Sequence, residues 1–349
     1  MFEVAVEFKS VLQQLIDRQD LTLEVMQALM RQIMVGELTP AQLSAVLIAL
    51  RMKGETVTEL LATAQVMREL MTPVEINLPY LVDTCGTGGD GSHLFNVSTA
   101  SAIVAAAAGA KVAKHGNRSV SSTSGSADVL EAGGVNLNLT PTQIARCVES
   151  VGVGFLFAPA HHGAMKHAIA VRRELGVRTL FNLVGPLTNP ARVQRQVLGV
   201  FARHWVRPLA EVLKGLNSQH ALVVHAADGL DEISIAALTY VAELKDGEIR
   251  EYEIRPEDFG LASATDLTEL TVSSAQESFQ LIQSVFGKKS AGPAKNIVLL
   301  NAGAAIYVSG VASSLQQGVR LADDILCSGL AKEKWETLAN FTQVFAVSE

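Results

Sequence analysis

The sequence predicts an α/β fold in which a small N-terminal helical domain precedes a large α/β domain with a mainly parallel central sheet. Residues 6–71 carry helix signals and little else, whereas short apolar runs alternate with helical stretches from residue 80 onwards. That alternation is typical of strands joined by helical crossovers, which place helices on the faces of a parallel sheet. We therefore expect a helical domain of residues 1–77 and an α/β domain of residues 78–349.

The composition indicates a folded protein without a membrane or nucleic-acid role. The 349 residues are 48% apolar and 18% charged, and the net charge of −7 argues against the broad basic surface that nucleic acids require. The longest apolar run, Ala102–Ala110, is about half of the roughly 20 residues that span a membrane. Cys85, Cys147 and Cys327 are widely separated, and no signal peptide is visible, so we expect a cytoplasmic protein.

Two capping boxes mark helix starts in the N-terminal domain. Thr39–Gln42 places a hydroxyl, a proline and a glutamine where they cap a helix, and Thr56–Glu59 repeats the pattern. Gly36 and Gly54 stand where the preceding helices would end. Because about four helices are too thin a layer to bury their own apolar faces, we expect them to pack on the main domain or on a second subunit. The segment 72–79, with a proline near each end, predicts a linker.

Five apolar runs in the larger domain predict strands: YLVDTC, AKVAKHG, GVGFLFAP, ALVVHA and NIVLLN. Residues 160–192 interrupt the alternation with a helical stretch, HHGAMKHAIAVRRELG, and a proline-marked loop, FNLVGPLTNPA. We expect this segment to return to the helical layer and to join the two domains. In parallel sheets ligands bind at the carboxyl ends of the strands, and the polar motifs of this sequence begin at those ends.

A glycine-rich loop, GTGGDG at residues 86–91, follows the first strand and fits the G-x-G-x-x-G spacing of dinucleotide-binding loops. A dinucleotide site also needs an acidic residue at the end of the next strand, but AKVAKHG ends in a lysine and a histidine. The following helix begins with Asn96, Ser98 and Thr99, whose side chains lie beside free backbone N–H groups. These features predict a different phosphate site, although a tight turn with an ordinary helix cap would use the same residues.

Two further polar segments each have a functional and a plain interpretation. Residues 114–134 combine three basic side chains with a run of serines, which fits a second phosphate cradle or a solvated loop. Two facing cradles would suit a ligand with a phosphate at each end. The adjacent acids Asp231 and Glu232 follow a turn, where they could converge on a metal ion or stand in an exposed acidic loop.

Five motifs, in the order GTGGD, NVSTA, KHGNRSVSS with SGSADVLEA, VRRELGVRTLFNLVGPLTNP and DGLDE, resemble those of the anthranilate phosphoribosyltransferase family. The resemblance extends from the N-terminal helices to NAGAA near residue 303. It implies the nucleoside phosphorylase/phosphoribosyltransferase type of fold and a homodimer. It also implies transfer of phosphoribose from 5-phosphoribosyl 1-diphosphate (PRPP) to the amino group of anthranilate, with Mg²⁺, in tryptophan biosynthesis.

The resemblance also implies which residues bind the substrates and the metal ion. The implied metal ligands are Ser98, Asp231 and Glu232. The implied substrate-binding residues are Gly86, Gly89, Asp90, Asn96, Val97, Ser98, Thr99, Lys114, His115, Gly116, Asn117, Arg118, Ser119, Val120, Ser121, Ser122, Ser126 and Arg172.

Individual roles follow from the side-chain chemistry. Lys114 is the expected phosphate contact, Asn117 is expected to face the acceptor, and the guanidinium of Arg172 matches a carboxylate bidentately. His115 and His162 either line the acceptor channel or are buried structural histidines. The aromatic amine of anthranilate is neutral at pH 7, so the reaction needs no general base and we assign no catalytic residue.

Two positions depart from the family pattern, and two other functions compete. Leu94 stands where the family usually has threonine, and Gly163 stands where it commonly has proline. A nucleoside phosphorylase would share the fold, but the acid pair and FNLVGPLTNP favour the transferase. A non-catalytic nucleic-acid-binding paralogue would be expected to lose the acid pair and gain basic surface, whereas this chain keeps the pair and is acidic.

Overall fold

The third and fourth helices of the computed structural model begin where the two capping boxes predict them. The structure describes residues 6–118 and 124–346. Thr39 and Thr56 each accept a hydrogen bond from the backbone three residues on, and the side chains of Gln42 and Glu59 close both boxes. Gly36 ends the second helix in the left-handed region at φ +80°. These helices are α1 (Phe8–Ile16), α2 (Leu23–Val35), α3 (Pro40–Lys53) and α4 (Val57–Leu70).

Seven strands of the described residues form one sheet, which confirms the predicted mainly parallel architecture. The sheet order is β3-β2-β1-β4-β5-β6-β7; the first five strands are parallel, and β6 and β7 are added antiparallel. The direction in which strands are added switches between β1 and β4, where a crevice forms in such sheets. The strands are β1 (Leu81–Asp83), β2 (Lys111–Gly116), β3 (Val153–Phe157), β4 (Arg195–Gly199), β5 (His220–Ala226), β6 (Thr239–Lys245) and β7 (Glu248–Ile254).

Helices cover both faces of this sheet. The sequence analysis predicted neither β4 nor the hairpin of β6 and β7, although the Asp246-Gly247 turn between those two strands is a hairpin signal. The remaining helices are α5 (Val97–Ala107), α6 (Ser126–Ala132), α7 (Pro141–Val151), α8 (Ala158–His161), α9 (Lys166–Leu175), α10 (Leu180–Val184), α11 (Val206–Gly215), α12 (Ala275–Val285), α13 (Pro293–Val308), α14 (Leu315–Ser328) and α15 (Leu330–Gln343).

The predicted strand NIVLLN is wrong, because these residues lie inside α13. This helix begins at Pro293 and is buried over most of its surface, so its apolar run has no polar face that would reveal a helical period. α13 packs closely on α14: a Cβ atom on Gly318 would lie 2.2 Å from the carbonyl oxygen of Gly303. The two glycines therefore set the distance between these helices.

The sheet separates two apolar cores. On β5, Leu222 and Val224 face the core that contains α5 and α13, whereas Ala221 and Val223 face the core shared with the N-terminal helices. This alternation follows from the period of two in a strand. α9 and α10 contact α2, α3 and α4, and they bury their apolar side chains in the second core.

A close backbone approach positions the segment that follows β5. Gly199, at the carboxyl end of β4, lies against the backbone of Asp231: a Cβ atom at Gly199 would stand 1.5 Å from the Asp231 carbonyl oxygen. Only glycine fits without movement of one of the two backbones. Gly199 therefore fixes where the DGLDE segment crosses the edge of the sheet.

We expect Gly199→Ala to lower the free energy of unfolding by at least about 2 kcal/mol, because backbone atoms must move to admit the methyl group. Gly185→Ala is the matched control, since Gly185 has φ −48° and no atom within 4 Å of an added Cβ. Urea unfolding of both variants and the wild type measures the effect. Equal stability of the two variants would contradict the proposed constraint.

Candidate active site

A cleft opens at the carboxyl ends of β1, β4 and β5, where the predicted motifs meet. Polar and small residues from five separate segments surround it, including the glycine loop, the start of α5 and the DGLDE segment. The lining residues are Thr84, Gly86, Ser98, Ser101, Val197, Gly199, Asp231, Glu232 and Asn301. The cleft therefore brings together two of the implied metal-ligand segments and part of the implied phosphate site.

The glycine loop bonds to both neighbouring segments of this cleft. The backbone N–H of Gly88 donates to the carboxylate of Asp231 at 2.7 Å. The N–H of Thr87 donates to the Gly199 carbonyl at 2.9 Å, and the Thr87 hydroxyl accepts from the N–H of Phe201 at 3.0 Å. Gly88 and Gly89 have φ +64° and +77°, a region that glycine adopts without strain. The loop is thus shaped by its glycines and aimed by contacts with β4 and Asp231.

Asp231 and Glu232 are partly buried, so the interpretation of their segment as an exposed acidic loop is wrong. Leu230 and Ile233 on either side are core residues that draw the pair inward. Burial, followed by the charge of Asp90, raises the pKa of Asp231 to about 7. Burial and the charge of Asp231 raise the pKa of Glu232 well above its usual value. Three carboxyl groups therefore meet in one cleft, where a cation would relieve their repulsion.

The ammonium of Lys114 is buried and bonds to oxygen atoms of the protein. It donates to the carbonyl and hydroxyl of Thr84, each at 3.1 Å, and to the Ser98 hydroxyl at 3.3 Å. These contacts connect the end of β2 to the end of β1 and to the start of α5. The expected phosphate contact of Lys114 stays a prediction, and it requires the ammonium to exchange one of these oxygens for the ligand.

The start of α5 has both occupied and unoccupied polar groups. The side-chain oxygen of Asn96 accepts from the hydroxyls of Ser124 and Ser278, at 2.9 and 2.7 Å. Val97 is buried, and its N–H donates to the Phe95 carbonyl. The hydroxyl of Thr99 is buried and has no hydrogen-bond partner among the described residues. Asn96 thus ties α5 to the segment before α6, while Thr99 keeps an unused donor.

The second predicted cradle is only partly within the described residues. Ser119, Val120, Ser121 and Ser122 lie outside them. Next to this gap, Arg118 pairs with Asp128 and Glu131 of α6 at 3.0 and 2.5 Å.

The glycine before this gap is required by a close approach. A Cβ atom on Gly116 would lie 2.2 Å from the Ser126 hydroxyl oxygen. That hydroxyl donates to the carbonyl of Asn117 at 3.3 Å. Gly116 therefore lets the end of β2 pass close to the start of α6.

The buried His115 and the half-buried His162 lie side by side near the helical layer. The ring centroids of His115 and His162 are 5.3 Å apart. Burial lowers the pKa of His115 well below its usual value and, with the charge of His161, lowers that of His162 to about 4. Both rings are therefore neutral at pH 7, as suits an apolar acceptor channel.

Arg172 lies on α9 with its guanidinium 5.4 Å from the centre of the Phe181 ring. Burial lowers its pKa, and no carboxylate of the described residues forms an ion pair with it. A desolvated arginine without a protein counter-ion suits an anionic ligand group. The predicted role of Arg172 toward a carboxylate is consistent with this setting, which the structure places on the helical side of the molecule.

The sequence analysis missed a buried polar pair beneath the cleft. Asp83, the last residue of β1, accepts from the Asn189 side chain at 2.7 Å and from the N–H of His115 at 3.1 Å. Asn189 also donates to the carbonyl of Ala113 at 2.8 Å. Burial raises the pKa of Asp83 to about 6. The acid at the end of YLVDTC and the asparagine of LTNP were the available signals, but nothing in their spacing links them.

The fold and this cleft define a two-domain glycosyl transferase. The sequence profile of the glycosyl transferase family, a/b domain, matches residues 78–332, and that of the family's helical bundle domain matches residues 9–71. The anthranilate phosphoribosyltransferase of Stutzerimonas stutzeri (strain A1501) is 59% identical over 342 residues, which cover 97% of this chain and 98% of that protein. That of Cellvibrio japonicus (strain Ueda107) is 60% identical over 340 residues, covering 97% and 99%. This chain belongs to the anthranilate phosphoribosyltransferase family.

Solved structures agree with this assignment. The anthranilate phosphoribosyltransferase of Thermus thermophilus superposes with a TM-score of 0.90 at 42% identity, over 95% of this chain and 99% of that one. The enzyme from Saccharomyces cerevisiae in complex with PRPP and Mg superposes with a TM-score of 0.84 at 24% identity, over 97% and 98%. At this identity, the similarity to the yeast enzyme shows that the two proteins share a fold.

We expect protein stability to fall as the pH drops from 6.5 toward 4, in part because His162 stays neutral in the folded protein while the unfolded chain binds the proton. His162→Gln removes this contribution. The stability lost by the wild type between pH 7 and pH 5 should exceed that lost by the variant by about 1–2 kcal/mol. Urea unfolding at both pH values checks this, with the exposed His204→Gln as the control. Parallel pH profiles for wild type and His162→Gln would contradict it.

Proposed function

We propose that this chain transfers the 5-phosphoribosyl group of PRPP to the amino group of anthranilate, giving N-(5-phosphoribosyl)anthranilate and diphosphate in tryptophan biosynthesis. The observation that carries this proposal is the contact of the glycine loop with the acid pair, through Gly88 and Asp231, at the switch point of the sheet. Backbone amides and carboxylates at one cleft suit a diphosphate and its metal ion. The 59% identity to the anthranilate phosphoribosyltransferase of Stutzerimonas stutzeri supports anthranilate as the acceptor.

The residues of the cleft fit magnesium. Asp231 and Glu232 offer hard oxygen donors, and burial and the charges of neighbouring acids raise the pKa of both carboxyls. The backbone of Ser98 hydrogen-bonds to Glu232, which brings the third proposed ligand residue next to the pair. Asp90 lies close enough for its charge to act on both acids. We therefore propose that Ser98, Asp231 and Glu232 hold Mg²⁺; when bound, the ion would neutralise charge on the departing diphosphate.

The remaining residues position two substrates. The bond between the anomeric carbon and the diphosphate oxygen breaks, and the anthranilate nitrogen forms the new bond to that carbon. The nitrogen then loses a proton to the released diphosphate or to water. Because negative charge grows on the leaving group, the backbone N–H groups of residues 86–91 and the start of α5 stabilise it. Arg172 orients the acceptor through its carboxylate, and His115 and His162 line its path as neutral rings. No step requires a protein base.

Replacing the acid pair by neutral isosteres should separate metal binding from folding. We expect Asp231→Asn with Glu232→Gln to abolish turnover at ordinary magnesium, or to raise the magnesium requirement at least about tenfold. The metal-free variant should melt roughly 2 °C or more above the wild type, because two carboxyls with raised pKa values lose their charge repulsion. The assay follows the loss of anthranilate fluorescence in the presence of PRPP and Mg²⁺.

Asp246→Asn, an exposed change in the turn between β6 and β7, is the control for this test. Full activity of the double variant at low magnesium would remove the pair from the metal site. A wild-type protein that consumes a nucleoside and phosphate, but not PRPP and anthranilate, would replace the transferase by a nucleoside phosphorylase.

The acceptor site is tested at Arg172. A bidentate contact with a carboxylate contributes about 1.5–3 kcal/mol, so Arg172→Ala should raise KM for anthranilate about ten- to a hundredfold. KM for PRPP should stay nearly constant. Arg172→Lys should recover only part of the loss, since an ammonium lacks the planar fork. The neighbouring exposed Arg173→Ala should behave as the wild type; a rise of KM for PRPP in Arg172→Ala would place this residue in the other half of the site.

We also propose that the helical layer, residues 1–77 joined by helices from about 160–192, forms a homodimer interface. Six of the ten exposed large apolar side chains among the described residues belong to this layer. They are Ile16, Val35, Met52, Leu70, Ile169 and Val177.

We also propose a cytoplasmic location. All three cysteines are free, and no helix of the described residues is long and apolar enough to cross a membrane.

Sedimentation should therefore report a mass of about twice the 37.1 kDa chain. Val35→Lys combined with Ile169→Lys should shift the protein toward the monomer, because two charges would be desolvated in the interface. Val311→Lys, at an exposed apolar residue outside the helical layer, is the control and should leave the mass unchanged. A monomeric wild type at micromolar concentration would contradict the proposal.

A further inference from the structure

One arginine of the helical layer reaches the glycine loop. Arg178 lies between α9 and α10, and its Nη2 donates to the carbonyl oxygen of Gly89. Its guanidinium carbon lies 4.3 Å from the centre of the Phe201 ring. The backbone carbonyl of Arg178 in turn accepts from Nη1 of Arg51 on α3. Phe201 and Gly89 therefore hold the side chain of Arg178, and Arg51 holds its backbone.

Arg178 is exposed, yet no carboxylate of the described residues forms an ion pair with it. An exposed arginine ordinarily adopts many rotamers, whereas stacking on an aromatic ring restricts this one. A charge-assisted hydrogen bond to a backbone carbonyl is stronger than a neutral one. The contact with Gly89 is thus a directed restraint on the loop.

The glycine loop is restrained on its other side by the α/β domain. Gly88 donates to Asp231, and Thr87 bonds to Gly199 and Phe201. Phe201 thus contacts both the loop, through its N–H, and Arg178, through its ring. The loop therefore lies between Arg178, which comes from the helical layer, and the acid pair Asp231 and Glu232.

We propose that Arg178 is a positioning residue that sets the conformation of the glycine loop for PRPP from the helical side of the cleft. This inference rests on the proposed function. Without the guanidinium, the loop keeps its contacts with β4 and Asp231 but loses the restraint at Gly89, so its backbone amides are less well ordered for the diphosphate. Removal of Arg178 should therefore weaken the binding of PRPP, because Arg178 supports the glycine loop. The binding of anthranilate should not change, because its carboxylate is assigned to Arg172.

Steady-state kinetics with Mg²⁺, PRPP and anthranilate test this with Arg178→Ala, Arg178→Lys and Phe201→Leu. We expect Arg178→Ala to raise KM for PRPP about tenfold, with KM for anthranilate unchanged and kcat within about threefold of the wild type. Arg178→Lys should recover part of the effect, and Phe201→Leu should raise KM for PRPP less than Arg178→Ala does. Hydrogen exchange of the peptide that covers residues 86–91 should be faster in Arg178→Ala.

Arg195→Ala is a matched control, because Arg195 also stacks on a ring, Tyr80 at 4.4 Å, and donates to a carbonyl, Val308 at 2.7 Å. It lies at the amino end of β4, at the opposite edge of the sheet from the cleft. Its removal should leave KM for PRPP and exchange in the loop unchanged. Equal effects of the two alanine variants would reduce Arg178 to a general stability role and overturn the inference.

Two further outcomes would also overturn it. A rise in KM for anthranilate alone would make Arg178 an acceptor contact, and unchanged kinetics with unchanged loop exchange would leave it without a role. A wild-type enzyme that does not convert PRPP and anthranilate would instead defeat the proposed function, while faster loop exchange in Arg178→Ala would still support the positioning role. Should Arg178→Ala fail to fold, Arg178→Lys and Phe201→Leu carry the same test.

Discussion

The hydrogen bond from the Gly88 N–H to the carboxylate of Asp231 joins the two segments on which the cleft depends. It can form only because Gly199 admits the backbone of Asp231 at the end of β4. The same approach brings Gly86 close to Asp231: a Cβ atom added to Gly86 would lie 3.0 Å from the Asp231 carboxylate. The backbone amides that we propose for a phosphate and the carboxylates that we propose for its metal ion are thus adjacent. This preorganisation lowers the entropic cost of assembling the site.

Charged side chains of both signs are buried around that bond. Lys114 is buried among oxygen atoms at the ends of β1 and β2, while Asp83 is buried beneath it and bonds to Asn189. Asp231 and Glu232 share the cleft with pKa values raised by burial. Burying acids in this way costs folding free energy, and a bound cation returns it as affinity. The strain in the free protein and the metal dependence of the reaction have the same cause.

Local signals predicted the parts of the fold that local physics determines. The capping boxes at Thr39 and Thr56 depend on residues within a few positions of one another, and they were predicted from the sequence. The predicted strand NIVLLN was wrong because a helix buried on most of its surface shows no helical period. The interpretation of the acid pair as an exposed loop was wrong because the core residues on either side determine how deeply the pair is buried. Contacts between distant segments had no motif: Asp83 bonds to Asn189, more than 100 residues away along the chain. An aspartate at the end of a strand has many possible causes, and only the packed structure selects one.

The proposed donor and acceptor sites lie in different layers of the molecule, because the cleft is lined by residues of the α/β domain alone. The proposed donor site belongs to the α/β domain, whereas Arg172 and His162 come from the segment that packs with the N-terminal helices. In the proposed reaction, the anthranilate nitrogen reaches the anomeric carbon only when these two layers keep one fixed separation. The proposed reaction uses no protein base, so alignment would be the main source of rate acceleration. An apolar core that includes Val171, Phe181 and Val223 is shared by the helical layer and the sheet, and it is the part of the fold that sets this separation.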